Sequence, residues 1–171
     1  MDDIQAFNLA VLLLRCLIGV VMMAHGYNHI FGGGKINGTA NWFESLGMKP
    51  GVFHAWLASV AELGGGAMLI AGLLTPLAAS AVVATMLVAW LINHRGNGFF
   101  IFRPGEGWEY VMTLLVTSVV VAVLGAGEWS LDHLFDLPNW SGVTGLVLAL
   151  LLGIGGGLAT LAVFWRPSKP T

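Results

Sequence analysis

The sequence predicts an all-α integral membrane protein: a helical bundle with a four-helix core and a fifth, C-terminal transmembrane helix. Three observations carry this. The chain is 57% hydrophobic and only 9% charged, with a mean hydropathy of +0.82, whereas soluble domains hold about 25% charged residues. It contains five apolar stretches of roughly the length a helix needs to cross a hydrocarbon core of about 30 Å. Its few basic residues segregate to one side of those stretches. A soluble fold of 171 residues would have to leave much of this apolar surface exposed. The net charge of −2 provides no basic face, which argues against nucleic acid as a partner.

The predicted spans are Ala6–Phe31, His54–Leu74, Leu77–His94, Trp108–Leu124 and Gly142–Trp165. The opening Met1-Asp2-Asp3 lacks the positive region of a secretory signal, so the first apolar segment is expected to be retained as a span. Gly32, Gly33 and Gly34 close it. Between Asn37 and Gly51, the spacing of Trp42, Phe43 and Leu46 suits a short amphipathic helix at the interface. Leu74-Thr75-Pro76 leaves room only for a tight helical hairpin, because proline cannot continue one helix but suits the first turn of the next. Gly96–Gly107 reads as a turn-rich loop that presents Phe99, Phe100 and Phe102 to the headgroup region. In the last span Gly153 and Gly157 form a small-xxx-small face for close helix packing, against this chain or another.

With five spans, the first and third loops and the C-terminus share one side, which holds Lys35, Lys49, Arg95, Arg103, Arg166 and Lys169. The other side holds Asp2, Asp3, Glu128, Asp132 and Asp136 and no Lys or Arg. This asymmetry predicts a cytoplasmic C-terminus and an external N-terminus.

Charges inside the spans are few, and an unpaired one costs at least about 2.5–3.5 kcal/mol. Arg15 and Glu62 each lie roughly 13 Å into their spans at 1.5 Å per residue, entered from opposite sides. An Arg15–Glu62 pair is therefore expected, either as a register-fixing ion pair or as the floor of a polar ligand site. His25 and His29 stand one turn apart late in the first span, His54 opens the second, His94 closes the third, and Glu109 starts the fourth. These residues are expected at one membrane–water boundary, where imidazoles suit a quinone headgroup, a metal site shared with a carboxylate, or separate interfacial hydrogen bonds. His133 and Asp132 lie on the opposite side, in an acidic loop anchored by Trp129 and Trp140. The single Cys16 rules out an internal disulfide and a CxxC pair, and there is no HExxH or CxxCH motif. No motif specifically supports a metal or haem.

Leu12-Leu-Leu-Arg15, His25-Gly26, Ala61-Glu62-Leu-Gly-Gly65, Gly72-Leu-Leu-Thr75, Met86, His94, Gly98-Phe-Phe100 and Trp129-Ser-Leu-Asp132 follow one another in an order that resembles the DoxX family. The likeness runs through most of residues 8–133. It implies a four-helix membrane domain over 1–133, followed in 134–171 by a loop, the fifth helix and a short tail. The family's members are small bacterial and archaeal membrane proteins, some of them linked to membrane redox complexes at the quinone pool. The matching polar positions are Arg15, His25, Glu62 and His94. The resemblance implies membrane redox chemistry at the quinone pool, and the leading expectation is a quinone-interacting membrane subunit of an oxidoreductase, with Arg15 and Glu62 organising the bundle and relaying protons, His25 and His94 at the headgroup, and His29 or Glu109 bridging from the quinone to the cytoplasm. It also implies membrane lipid and further redox subunits as partners, with homo-oligomers left open. The alternatives are a non-catalytic anchor or assembly subunit and, ranked last, a small transporter or channel. With one cysteine, dithiol chemistry would have to belong to a partner.

Overall fold

A computed structural model describes residues 1–167 of the chain; Lys169, counted above among the basic residues, lies outside them. The helices are α1 (Asp3–Phe31), α2 (Lys35–Ser45), α3 (Gly51–Ala71), α4 (Thr75–His94), α5 (Glu109–Leu124), α6 (Leu131–Leu134) and α7 (Gly142–Phe164). By length and apolarity α1, α3, α4 and α7 can each cross a membrane. The expected fourth span differs. Its helix α5 has 16 residues, or about 24 Å of axial rise, which is short of a full hydrocarbon core. Trp108 and the exposed Phe99, Phe100 and Phe102 continue the apolar surface beyond its N-terminus.

Local chemistry sets the helix ends. Asp2 caps α1: its Oδ1 accepts from Gln5 N at 2.8 Å, and Gln5 Oε1 accepts in return from Asp2 N at 3.3 Å. Gly72, at φ +66°, ends α3 in the left-handed conformation that glycine adopts without steric cost. Pro76 then falls in the first turn of α4, as the Leu74-Thr75-Pro76 hairpin requires. The helix α2 forms as expected, with Trp42 facing outward and Phe43 buried against the bundle.

Glycine governs the closest contacts. The helices α1 and α3 touch at Gly19 and Gly66, where an added Cβ on Gly19 would meet the Gly66 carbonyl oxygen at 2.6 Å. The helix α7 lies on α4: a Cβ on Gly153 would meet Val83 Cγ1 at 2.6 Å, and one on Gly157 would meet Leu87 Cδ2 at 3.1 Å. The small-xxx-small face of the last span is thus used inside this chain. The foot of α7 is tied down too, with Arg166 N donating to Gly47 O at 2.7 Å and Trp165 Nε1 to Leu46 O at 3.0 Å. The core consists of Ile18, Met22, Leu69, Val82, Val83, Val121 and their neighbours, while leucines such as Leu13, Leu17 and Leu151 point outward, as they do where lipid replaces water.

The two ends differ in charge. One carries Lys35, Lys49, Arg95, Arg103 and Arg166; the other carries Asp2, Asp3, Glu128, Asp132 and Asp136.

Candidate functional site

The expected Arg15–Glu62 pair does not form. Gly26 stands opposite Glu62, so closely that a Cβ there would meet Glu62 Cβ at 3.1 Å. Arg15 is eleven residues earlier on α1 and stands beside Leu69, which separates the two charges by about 16 Å along the axis. The sequence estimate missed this because α1 overruns α3 at the acidic end, so equal distances into the two spans are not equal depths.

Each charge has its own partners. Arg15 is fully buried and donates from Nη1 to Leu69 O at 3.0 Å and from Nη2 to Trp129 O at 2.8 Å. Leu69 lies in the last turn of α3, where carbonyls lack intrahelical donors and the helix dipole is negative. Asp132 serves the complementary end, accepting from Leu74 N at 2.6 Å and Thr75 N at 3.0 Å at the start of α4. Its own N–H donates to Gly72 O at 2.8 Å. A cation on a helix C-terminus and an anion on the next N-terminus thus lock the α3–α4 hairpin to the loop after α5. Asn8, which the sequence did not single out, fixes that loop to α1: its Nδ2 donates to Glu128 Oε2 at 2.8 Å and its Oδ1 accepts from Glu128 N at 2.9 Å. Asp132→Ala should loosen this hairpin, lowering the thermal midpoint by the worth of a lost cap, about 1 kcal/mol; a differential scan of the purified protein reads it.

Glu62 lies in the half of the bundle towards the basic end, with Oε2 at 3.1 Å from His29 Nδ1. Both residues line a cavity of about 470 Å³ between α3 and α4. The cavity follows from the sequence: Ala58 and Ala61 on α3 face Ala81, Ala84 and Thr85 on α4, and Gly156 and Gly157 of α7 add no side chain. Small side chains on facing helices leave the space unfilled. Trp42, Phe43, Met48, Leu57, Met86 and Leu114 supply most of its apolar wall.

His25, His29, His54 and His94 all line this cavity. His54 is 3% exposed, its ring lies among Phe43, Phe53 and Phe164, and its Nε2 has no hydrogen-bond partner. A buried imidazole nitrogen left without a partner is costly. His25 is exposed and faces Tyr110, with ring centroids 6.2 Å apart. His94 is engaged: Nδ1 lies 2.9 Å from Glu106 O and Nε2 lies 3.3 Å from Asn93 Nδ2. It sits in a widened last turn of α4, where Arg95 N reaches back five residues to Trp90 O at 2.8 Å. Such turns rotate the following side chains relative to a regular helix and recur at functional sites.

Two expected site residues are absent from the cavity. Arg15 belongs to the acidic-end lock described above. Glu109 turns away, its Oε2 accepting from Ile101 N at 3.1 Å to brace the aromatic loop, and Glu106 lines the cavity in its place. Conversely, Tyr110 and Asn93 line the cavity and were not singled out from the sequence, which gives them no motif. Among the described residues, no three His, Cys, Asp or Glu side chains are arranged to hold a metal ion.

The sequence profile of the DoxX family matches residues 10–95, half of the chain. The chain belongs to the DoxX family. This DoxX protein is 28% identical over 128 residues to a Bacillus subtilis protein named "Putative oxidoreductase CatD", covering 75% of this chain and 88% of that one. It is 26% identical over 137 residues to an uncharacterized membrane protein of Mycobacterium tuberculosis, covering 72% and 80%. No solved structure matches. The matched segment includes α1 from residue 10 onward and all of α2 to α4, and so contains His25, His29, His54, Glu62 and His94; Asp132 and all of α7 lie beyond it.

Proposed function

We propose that this DoxX protein is the quinone-interacting membrane subunit of an oxidoreductase, with the cavity between α3 and α4 as its headgroup site. The observation that carries this reading is the buried, unpartnered Nε2 of His54, a residue lining a cavity that also takes in His25, His94 and the His29–Glu62 pair. A quinone ring needs flat apolar walls and one or two hydrogen-bonding groups at its carbonyl oxygens, and the lining residues fit that demand. Bound there, a quinone supplies two-electron, two-proton redox capacity, with electrons coming from a partner subunit. His54 binds and orients the ring. His94, held by Glu106 and Asn93, positions the mouth of the cavity, and the His29–Glu62 pair holds a transferable proton at its inner wall. The name of the Bacillus subtilis relative is in keeping with redox work. The basic end is read as cytoplasmic.

The test is binding. The full chain is purified in mild detergent, its co-purifying molecules are identified by mass spectrometry, and quenching of its tryptophan fluorescence is followed as an isoprenoid-tailed quinone is added. Binding is expected, and His54→Leu, which keeps the apolar packing, should weaken it about tenfold, the worth of one hydrogen bond. His94→Ala should weaken it less. A wild-type protein that neither retains nor binds quinone refutes the reading.

A second reading, a membrane anchor or assembly subunit, draws on the outer face of α7, where Val143, Leu150, Leu151, Leu152 and Val163 are exposed. A catalytic partner that co-purifies with a chain unable to bind quinone would favour it.

A further inference from the structure

We infer that the ligand of this cavity is a long-chain amphiphile that enters from the bilayer, its tail leaving sideways between α3 and α7; this rests on the quinone reading above. The lining implies two unlike mouths. One is where His25, His94, Asn93, Glu106 and Tyr110 gather towards the basic end, and the other is where Leu57 and Ala58 of α3 stand with Gly156 and Thr160 of α7. At this second mouth nothing polar is left open, since Thr160 Oγ1 donates to Gly156 O of its own helix at 2.9 Å. A hydrophilic solute gains nothing from such an opening, whereas a hydrocarbon chain passes through it without desolvating any polar group.

The helix packing keeps this mouth open. The helix α7 rests on α4 and α5, and α3 rests on α1, α2 and α4, but α3 and α7 do not pack on each other along their length. They are joined at the basic end, where Phe164 lies against Phe53 and His54 with ring centroids 5.4 and 5.0 Å away. Above that aromatic seal the gap faces lipid. A Cβ placed on Gly156 would have nothing within 4 Å, and Leu57 across the gap is 44% exposed. His54, with its Nε2 unpartnered, lines the cavity beside this seal, so the cavity offers its hydrogen-bonding groups inside and its apolar exit towards the bilayer core. The fifth helix therefore has a specific role, supplying one jamb of a lateral portal. Specificity for a tailed over a tail-less ring lies at Gly156 and Leu57.

The experiment narrows the portal from each side and leaves the hydrogen-bonding groups of the headgroup site in place. Wild type, Gly156→Phe and Leu57→Trp are placed in lipid nanodiscs. Tryptophan quenching is titrated with an isoprenoid-tailed naphthoquinone and with 2-methyl-1,4-naphthoquinone, the same ring without a tail. Gly64→Phe, on α3 at a point also free of neighbours within 4 Å but outside the cavity lining, is the control. Both portal variants should lose affinity for the tailed quinone by about tenfold or more beyond any loss for the tail-less ring, because the added side chain closes the path the tail takes and the bare ring does not need that path. The control should match wild type for both ligands. If the two portal variants leave tailed binding unchanged, or weaken both ligands equally, the portal is wrong while the quinone site stands. If wild type binds neither ligand, the quinone reading falls and the portal with it.

Discussion

Replacing Arg15 by Ala should cost about 3–5 kcal/mol, the range found when a buried charge network loses one member. The guanidinium is fully buried and joins Leu69 O and Trp129 O. Its removal strands the Trp129 carbonyl, leaves Leu69 O with only the Gly72 N–H at 3.2 Å, and leaves Asp132, which caps α4 only a few residues from Trp129, without a cationic neighbour. The acidic end of the bundle should loosen first, because the α3–α4 hairpin and the loop after α5 are both held there. The expected readout is a large fall in the thermal midpoint in detergent. Arg15→Lys should rescue little of it, since one ammonium cannot reproduce the fork that reaches two carbonyls from different segments. The surviving folded fraction should still bind ligand, because Arg15 lies about 16 Å in axial rise from Glu62. A midpoint unchanged in Arg15→Ala would show that the charge is not structural.

The second large effect is expected at Gly145. A Cβ at this position would run into the carbonyl of Ala122 on α5, which is backbone and cannot turn aside. Gly145→Val should therefore push α7 off the bundle, at a cost at or above the roughly 1–3 kcal/mol typical of overpacking. Because Gly156 and Gly157 of the same helix wall the cavity, ligand binding should fall together with stability. Gly155→Leu is the contrast: this residue is exposed and the nearest atom to an added Cβ is Leu150 O at 3.7 Å, so stability should stay within about 0.5 kcal/mol. Equal melting of the two variants would show that the loss reflects glycine content and not the fit of α7 against α5.

These two residues mark where sequence reasoning ran short. Arg15 was legible as costly to bury, yet its partners were not, because the partners are backbone carbonyls. Any residue has a carbonyl; only helix ends and loops leave it free, and which end comes within reach depends on how far α1 overruns α3. The pairing with Glu62 looked natural because side chains are the partners a sequence displays. Glu109 failed for a related reason: a helix-starting carboxylate can turn to its own loop as easily as to a site, and Ile101 N took it. The glycines of α7 were legible as a packing face, but their partner was not, since small residues announce close approach without naming what approaches.

The four histidines were more readable. Helical periodicity placed His25 and His29 on one face, and the alternation of spans brought His54 and His94 to the same end; the structure places all four around one cavity. What the sequence by itself determined is the membrane fold, the segregation of basic and acidic ends, and the end of the bundle at which the four histidines of the spans lie. Those follow from hydropathy and chain alternation, which act along one dimension. What only the tertiary structure decided is the separate fates of Arg15 and Glu62, the unpartnered nitrogen of His54, and the gap between α3 and α7. These depend on axial register and on which helices touch, and both are set by close packing at Gly19, Gly66, Gly145 and Gly153, where the absence of a side chain fixes the distance between backbones.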